Sequence, residues 1–324
     1  MTAFEAIQHS IAPELGQLNE RIASALGSSN SMMNGIVEQY LRTKGKQIRP
    51  IMVMLSARLF GSVTPKVISA AAAVEMLHNA SLIHDDVVDE SKLRRSTPTI
   101  NAIWDNHIAV LSGDFFVSTA LQLAISTDDI RIVGALANLG RLLSMGELDQ
   151  IYTARFRKLD EKAYFEIIGR KTASLFEACV EMGCYAVNVD GERLEALRKF
   201  SRLLGLCFQI KDDIFDYYED KTIGKPTGND LREGKITLPL LWVLLQENAP
   251  DHAEMLELSR REELSTDEIS ILIDYAKANG GIDYAYTVMT RFREEAASIM
   301  EQFPDSETKN DFMALFDYII TRNH

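Results

Sequence analysis

The chain has 324 residues, 46% of them apolar, and a formal net charge of −13. A sequence of this length can bury one large hydrophobic core, and no compositional break marks a linker. The acidic balance argues against nucleic acid as the main partner, because phosphate backbones require a basic surface. We predict one domain over residues 1–324 that concentrates positive charge, or a metal ion, wherever it binds an anion.

Helical periodicity dominates the sequence, and no segment shows the alternation of a half-buried strand. Residues 64–89 are apolar on nearly all sides, which predicts a buried central helix. Further long helices are predicted at 110–125, 130–156, 163–187 and 193–219, and a polar loop at 221–234. A capping box, a helix stop and a break before the last helix are predicted at Ser265 with Glu268, at Asn279-Gly280-Gly281 and at Phe303-Pro304. The fold class is therefore all-α.

The cysteines, Cys179, Cys184 and Cys207, lie in apolar helical patterns without a CxxC unit, which is typical of buried thiols in a reducing cytosol. The first residues are acidic and lack a basic segment followed by an apolar one, so we expect no signal peptide. The longest apolar stretches, such as residues 67–77, are shorter than a bilayer span. We expect a soluble, cytoplasmic protein without a membrane anchor.

The segment His84-Asp85-Asp86-Val87-Val88-Asp89 ends the most apolar helix. Its i, i+3 and i, i+4 spacings predict that Asp85, Asp86 and Asp89 crowd one side of the helix end. Three like charges repel unless a cation shares them, and Mg²⁺ suits the pattern because it takes one or two carboxylates together with water and phosphate oxygens. The alternative is a solvated acidic helix end.

A second DDxxD pattern, Asp212, Asp213 and Asp216, ends another apolar helix. Two such clusters facing one cavity could hold a small group of metal ions around one polyanion. Basic residues stand where a diphosphate would need them: Lys46, Arg49, Arg94, Arg95, Lys171, Lys225 and Lys235. Adjacent arginines can divide two fork-shaped donors between two phosphate groups. Taken singly, each basic residue is more often a solvated surface charge.

In combination these motifs resemble the trans-isoprenyl diphosphate synthase (polyprenyl synthetase) family, most of all its medium- and long-chain, octaprenyl-type members. The resemblance is clearest from about Lys44 to Pro239. Its matching features are Gly45 to Pro50, the two aspartate motifs, Arg94-Arg95 with Pro98-Thr99, Gly113-Asp114-Phe115, Gly146-Glu147 with Gln150, Lys171-Thr172, Phe208-Gln209, and residues 224–235. The chain departs from the family pattern at Gln47 and at Ser96, and the first departure bears on isopentenyl diphosphate binding.

The resemblance implies a single large helical bundle of the isoprenoid synthase type around a deep central cavity, in a homodimer. It implies ligation of several Mg²⁺ ions by Asp85, Asp89 and Asp212, with support from Asp86, Asp213 and Asp216. The residues implied for the allylic diphosphate are Arg94, Lys171, Gln209, Lys225 and Lys235, with Thr172 beside them. Those implied for isopentenyl diphosphate are Lys46, Arg49, His78 and Arg95. The implied catalytic set is Asp85, Asp86, Asp89, Arg94, Lys171, Asp212, Asp213 and Lys225.

The implied reaction is the Mg²⁺-dependent head-to-tail condensation of isopentenyl diphosphate with an allylic diphosphate primer. Ala80 and Ser81, the fifth and fourth residues before Asp85, are small, and with Leu77 they would line the pocket that receives the growing tail. An open pocket predicts an all-trans product of about octaprenyl length, for quinone side chains, released with transient membrane contact.

Several alternatives stay open at this point. A short-chain, farnesyl or geranylgeranyl diphosphate synthase would share every motif except the long pocket. A terpene cyclase needs only one diphosphate, so the basic set at Lys46, Arg49 and Arg95 argues against it. A regulatory subunit of a heteromeric synthase commonly lacks an intact aspartate motif. A di-iron bundle would use Glu with Glu-x-x-His ligands, which do not fit these aspartates.

Overall fold

The structure is a computed structural model that describes residues 2–28, 30–42, 45–94, 97–218 and 227–322. Its helices are α1 (Ala3–Ser10), α2 (Ala12–Ala25), α3 (Ser31–Arg42), α4 (Ile48–Phe60), α5 (Pro65–Val88), α6 (Ile100–Ile103), α7 (Asn106–Ile125), α8 (Ile130–Arg155), α9 (Glu161–Ile168), α10 (Ser174–Ala186), α11 (Gly191–Phe215), α12 (Asn229–Arg232), α13 (Leu238–Leu244), α14 (His252–Ser259), α15 (Thr266–Ala278), α16 (Gly281–Met300) and α17 (Glu307–Thr321). Two short strands, β1 (Leu93–Arg94) and β2 (Thr97–Pro98), pair antiparallel. The predicted all-α fold class is confirmed.

Local sequence signals explain where several helices begin and end. The Thr64 side chain accepts a hydrogen bond from the Val67 amide at the start of α5, and proline follows as the first helical residue. Ser265 and Glu268 form the predicted capping box of α15. Gly280, with φ of 82°, separates α15 from α16, which confirms the predicted stop.

The predicted helix at 163–187 is interrupted in the structure. A π-helical segment, Gly169–Ala173, lies between α9 and α10, and hydrophobic periodicity cannot reveal one turn of wider hydrogen bonding. Within the predicted loop at 221–234, residues 229–232 form the short helix α12, whereas residues 219–226 lie outside the described part of the chain. The strands β1 and β2 have two residues each, which is too few for alternation to show.

The chain forms two compact units, of which the first comprises Met1–Arg141, Leu175–Lys199 and Gln302–Leu315. Helix α5 lies at its centre, with α2, α4 and α7 packed against it. Residues 70–74 of α5 are wholly inaccessible to solvent. Such burial on all sides is what the uniformly apolar sequence of this helix predicted, because a helix without a polar face is stable only when surrounded.

Helix α7 also belongs to the first unit and is apolar along most of its length. Among the described residues it is the one helix long and apolar enough, by length and composition, to cross a membrane. The prediction that every apolar stretch is shorter than a bilayer span was wrong. Ser112, Asp114 and Gln122 interrupt the apolar run of α7, but the mean hydropathy of the helix stays high enough for a span. Helix α7 packs along α5, and 44% of its apolar window is buried.

The second unit comprises Leu142–Ser174, Phe200–Glu301 and Phe316–His324. Helix α13 packs against α9, α14, α15 and α16 there, and most of its side chains are buried. The start of α16 approaches α13 so closely that a Cβ on Gly281 would lie 2.2 Å from the Pro239 carbonyl oxygen. Trp242 then stacks on Tyr284 with ring centroids 4.8 Å apart. The single-domain assignment of residues 1–324 stays a prediction.

Candidate functional site

The first aspartate motif ends α5 in the first unit, and its three carboxylates differ in environment. Asp85 is half-buried, Asp86 is buried, and Asp89 is exposed as the residue that caps the helix. Asp86 accepts hydrogen bonds from Arg94 Nε at 2.9 and 3.1 Å, and Arg94 Nη2 lies 2.8 Å from its Oδ1. This two-point contact neutralises the Asp86 carboxylate with a protein cation.

The structure therefore corrects the expectation that all three carboxylates crowd one side of the helix end. Asp86 turns to Arg94 because the guanidinium offers a fixed pair of donors at short range. In the part of the chain that the structure describes, no three Asp, Glu, His or Cys side chains converge on one metal position. Asp85 and Asp89 remain one turn apart, which suits an ion that takes most of its ligands from phosphate and water.

The end of α5 is fixed by α7 through a contact that only glycine permits. The His84 ring nitrogen Nε2 lies 3.2 Å from the Val110 carbonyl oxygen and 3.5 Å from the Asp114 carboxylate. A Cβ on Gly113 would approach His84 Nε2 to 2.2 Å. The motif Gly113-Asp114 thus has a structural role in this chain, because Gly113 leaves room for the His84 ring and the Asp114 carboxylate lies beside that ring.

The remaining residues predicted in the first unit are spread over α4 and α5. Lys46 is exposed before α4, and Arg49 is half-buried, with its guanidinium carbon 6.0 Å from the centre of the Phe176 ring. His78 is half-buried on α5, and its carbonyl oxygen accepts the Ser81 hydroxyl at 2.8 Å. Gln47, one of the two departures from the family pattern, donates to Asn19 at 3.1 Å. Arg95 lies outside the described residues.

The residues predicted to set product length lie on the same helix. Ala80 is fully buried, Leu77 is 8% exposed, and Ser81 is half-buried. A cavity of about 130 Å³ beside the Asp86–Arg94 pair is lined from α5 by Asn79, Leu82, Ile83 and Asp86. The pocket role of Leu77, Ala80 and Ser81 stays a prediction.

The second aspartate motif ends α11 in the second unit, and its central carboxylate is deeply buried. Asp213 accepts hydrogen bonds from the Tyr164 hydroxyl at 2.6 Å and from Gln209 Nε2 at 2.8 Å. The Gln209 side-chain oxygen Oε1 in turn accepts a hydrogen bond from the Thr172 hydroxyl at 2.6 Å. Burial raises the pKa of Asp213, while the hydrogen bonds from Tyr164 and Gln209 offset part of that rise.

The other two carboxylates of this motif are also engaged. Asp212 pairs with Arg322, which donates to the Phe208 carbonyl oxygen at 3.2 Å and lies 4.2 Å from the Phe208 ring. Asp216 accepts the backbone N–H groups of Asn229 and Asp230, each at 3.0 Å, so it fixes the start of α12. A metal ion that takes Asp212 Oδ1 would therefore compete with a guanidinium group.

Two of the predicted basic residues of the second unit, Lys171 and Lys235, line one cavity of about 170 Å³. The predicted residues on its wall are Lys171, Thr172, Gln209, Asp213 and Lys235. Lys171 stands in the π-helical segment and pairs with Glu147, and Lys235 pairs with Glu233. The structure thus joins three members of the predicted allylic diphosphate set. Arg94 belongs to the first unit, and Lys225 lies outside the described residues.

Sequence reasoning missed three residues of this neighbourhood. Tyr164 lies seven residues before Lys171, a spacing of two helical turns that could have suggested a shared face. Arg157 lines the cavity from the turn after α8, and Asp230 lines it from α12. Arg157 carries no local signal, because its approach depends on tertiary packing, whereas Asp230 lies within the matched segment 224–235 but was assigned no role.

Comparison with known proteins shows which family this chain belongs to. The sequence profile described as polyprenyl synthetase matches residues 30–276. The octaprenyl diphosphate synthase of Haemophilus influenzae is 32% identical over 100% of this chain and 98% of its own length.

Two solved structures are similar along nearly the whole chain. The crystal structure of a polyprenyl synthase from Caulobacter crescentus, complexed with calcium and isoprenyl diphosphate, is 32% identical with a TM-score of 0.91, covering 99% of this chain and 98% of that one. A geranylgeranyl pyrophosphate synthase from Bacteroides thetaiotaomicron is 35% identical with a TM-score of 0.85, covering 99% of both chains. The chain therefore belongs to the polyprenyl synthetase family and is a trans-prenyltransferase.

Proposed function

We propose that this prenyltransferase condenses isopentenyl diphosphate with an allylic diphosphate, head to tail and in a Mg²⁺-dependent reaction, to give an all-trans polyprenyl diphosphate of about octaprenyl length. The observation that carries this proposal is the convergence of Lys171, Gln209 and Lys235 on one cavity that also contains Asp213. Three donors around one cavity suit the diphosphate of an allylic substrate. A quinone side chain is the product's proposed use.

In the proposed reaction the allylic C–O bond breaks and both bonding electrons leave with the diphosphate. Lys171 and Lys235 stabilise the negative charge that develops there, and Arg94 is assigned the same task. The double bond of isopentenyl diphosphate then forms the new C–C bond, and a proton is lost to the released diphosphate. We expect an apolar, closed cavity beneath the first aspartate motif to keep water from the allylic cation.

Mg²⁺ is proposed as the metal, held by Asp85, Asp89 and Asp212, with Asp86, Asp213 and Asp216 in supporting positions. The ligand types fit, because Mg²⁺ takes carboxylate oxygens and completes its shell with water and phosphate. The Arg322 guanidinium against Asp212 supports a cation at that place. When bound, Mg²⁺ would neutralise charge on the departing diphosphate. Calcium in the Caulobacter crescentus polyprenyl synthase structure supports a divalent ion here.

The octaprenyl length rests on the small side chains at Ala80 and Ser81 and on the likeness to the Haemophilus influenzae octaprenyl diphosphate synthase. The second candidate is a short-chain synthase, which the likeness to the Bacteroides thetaiotaomicron geranylgeranyl enzyme favours. A large aromatic side chain at position 80 would close an open pocket. We therefore expect Ala80→Phe to give much shorter products than the wild type.

The test is incubation of the purified chain with Mg²⁺, labelled isopentenyl diphosphate and farnesyl diphosphate, followed by separation of products by length. Chelator-sensitive products of about octaprenyl length are expected for the wild type, and shortened ones for Ala80→Phe. The matched control is Ser69→Ala, a change at another buried position of α5, which should leave the product length unchanged. A wild-type product limited to geranylgeranyl length selects the second candidate, and no condensation contradicts the proposed reaction.

A homodimer in the cytoplasm is proposed as the working form. Side chains of α7 that support an interaction surface are Val110, Leu111, Leu121 and Ile125, which are 38–63% exposed. Light scattering of the purified chain should give twice the monomer mass. Leu111→Glu should shift it toward the monomer, and an unchanged mass for that variant would remove α7 from the interface.

A further inference from the structure

The cavity of the second unit has a wall that the proposed reaction does not use. Gln150 on α8 and Arg157 in the turn after it line this wall, and neither belongs to the predicted substrate-binding set. The cavity volume of about 170 Å³ exceeds the roughly 10–15 Å³ that one ordered water requires. It therefore has room for a polyatomic ligand as well as water.

Arg157 is held in place by its backbone conformation and by the hydrogen bonds of one guanidinium nitrogen, Nη2. Its φ of 47° is in the left-handed region, and its Nη2 donates to the carbonyl oxygens of Arg261 and Glu262, each at 3.0 Å. Gly234 lies against the group so closely that a Cβ there would be 2.8 Å from Nη1. The guanidinium is thus positioned by contacts that do not neutralise its charge.

Two buried donors on this wall have no acceptor. Among residues 2–28, 30–42, 45–94, 97–218 and 227–322, neither Arg157 Nη1 nor Gln150 Nε2 makes a hydrogen bond, and both atoms are buried. A buried donor without an acceptor is unfavourable unless water or a ligand supplies one. Both donors therefore favour a ligand with several acceptor oxygens.

Lys171 and Lys235 on the cavity wall are paired with Glu147 and Glu233, whereas Arg157 and Lys158 make no ion pair among the described residues and favour an anion. The cationic side chains of the cavity are Arg157, Lys158, Lys171 and Lys235, and its carboxylates are Asp160, Asp213 and Asp230. Asp160 accepts the backbone N–H groups of Lys162 and Ala163, and Asp213 accepts from Tyr164 and Gln209, so two of the three carboxylates have donors of their own. Lys158 Nζ lies 4.9 Å from the Tyr152 ring, without a carboxylate partner among the described residues.

We propose that Arg157 and Gln150 form an anion site for a diphosphate group that does not depend on a divalent metal. The guanidinium supplies a permanent positive charge and a directed donor, and the Gln150 amide supplies a second donor. The ligand is either free inorganic diphosphate or the head group of a prenyl diphosphate. The choice of diphosphate as the anion rests on the proposed function, whereas the cavity and its two donors do not depend on that function.

The experiment is titration calorimetry of the full chain with inorganic diphosphate in the presence of EDTA. Arg157→Gln should weaken binding about tenfold, since a charge-assisted hydrogen bond is lost, whereas Arg157→Lys, which keeps the charge, should weaken it less. Arg155→Gln is the matched control, because Arg155 is an exposed arginine on the same stretch of chain, and it should leave the affinity unchanged. Gln150→Glu removes a donor and adds a negative charge, so it should also weaken binding at least about tenfold.

Absence of metal-free binding by the wild type, or an equal loss in Arg157→Gln and Arg155→Gln, would overturn the proposal. If Arg157→Gln does not fold, as judged by its thermal transition, Gln150→Glu decides the question alone. A parallel titration with farnesyl thiodiphosphate separates the two sources of the ligand. Condensation activity with Mg²⁺ is measured separately. An inactive wild type that still binds diphosphate through Arg157 would contradict the proposed function and support the anion site.

Discussion

The two aspartate motifs have the same spacing and occupy the ends of two helices, yet their carboxylates are held differently. In the first motif only Asp86 is buried against a cation, and Asp89 is exposed. In the second, Asp213 is buried under Tyr164 and Gln209, Asp212 pairs with Arg322, and Asp216 caps α12. The first motif keeps carboxylates accessible for a ligand, whereas the second is part of the hydrogen-bonding framework of its unit.

One DDxxD pattern therefore leaves carboxylates accessible at the end of α5 and joins carboxylates to neighbouring residues at the end of α11. Replacing an accessible carboxylate of the first motif should affect activity with little change in stability. Replacing the partners of the second motif should change stability or metal affinity as well.

The largest effect is expected for Asp89→Asn. Loss of an accessible carboxylate that is proposed to hold Mg²⁺ should lower the condensation rate about 10²–10³-fold, because the charge developing on the diphosphate loses stabilisation. The midpoint of thermal unfolding should not move. The matched control is Glu90→Gln, the neighbouring exposed carboxylate, which should retain activity. Equal losses in both variants would show a general charge effect instead of a metal ligand.

A stability effect is expected for Asp129→Asn, an acid of the first unit with no proposed metal role. Hydrogen bonds from Arg131 and then Lys66 lower the pKa of Asp129, although its burial opposes them. A lowered pKa stabilises the fold fully above the ordinary value of about 3.9, and this contribution is lost as the pH falls through the lowered value. The variant should lose about 2–3 kcal/mol at pH 7.

Thermal unfolding of the wild type and Asp129→Asn at a series of pH values checks this prediction. The difference between them should stay constant from pH 7 to 5 and shrink below about pH 4, where the Asp129 carboxylate is protonated in the unfolded state while it is still charged in the folded state. A difference that grows on acidification would contradict the assigned sign. This acid provides the reference for a carboxylate whose role is stability alone.

Tyr164→Phe tests whether the second motif is part of the framework. Loss of the hydroxyl leaves the buried Asp213 carboxylate with one donor fewer, which should lower the free energy of unfolding by about 1–2 kcal/mol. Tyr275→Phe is the matched control, because its hydroxyl is buried and finds no partner among the described residues. Urea unfolding measures the free energy of unfolding of both variants. Equal losses would show that the Tyr164–Asp213 hydrogen bond stabilises the fold no more than a hydroxyl without a partner.

The smallest effect is expected for Arg322→Gln. Removing the guanidinium from Asp212 should strengthen divalent metal binding about fivefold, because the metal no longer competes with a charged partner worth about 1 kcal/mol. Titration with Mn²⁺ followed by electron paramagnetic resonance measures the affinity. Arg291→Gln, an exposed arginine of α16, should leave it unchanged. Weaker metal binding by Arg322→Gln would show that Arg322 supports the metal site.

Much of the fold followed from the sequence because its signals are local. The apolar surface of α5, the capping box at Ser265 and the glycine at position 280 each act within a few residues, and the structure confirms them. The aspartate spacings likewise placed both motifs at helix ends. Periodicity and capping therefore predicted where these helices lie.

The partners of the site residues could not be predicted in the same way. The Asp212–Arg322 pair joins positions 110 residues apart, and the Asp213–Tyr164 bond joins positions 49 apart. Nothing in either local sequence specifies those contacts. The π-helical turn at Lys171 also escaped prediction, because it depends on backbone hydrogen bonding that side-chain pattern does not encode.

We propose, as the main point to test, that each aspartate motif holds divalent metal and that Lys171 and Lys235 bind a prenyl diphosphate. The most direct measurement is a crystal structure of the full chain with Mn²⁺ and farnesyl thiodiphosphate, with metal positions taken from anomalous scattering. We expect metal at Asp85 with Asp89 and at Asp212, and a thiodiphosphate within hydrogen-bonding distance of Lys171 and Lys235. Metal at only one motif, or a thiodiphosphate away from both lysines, would contradict this proposal.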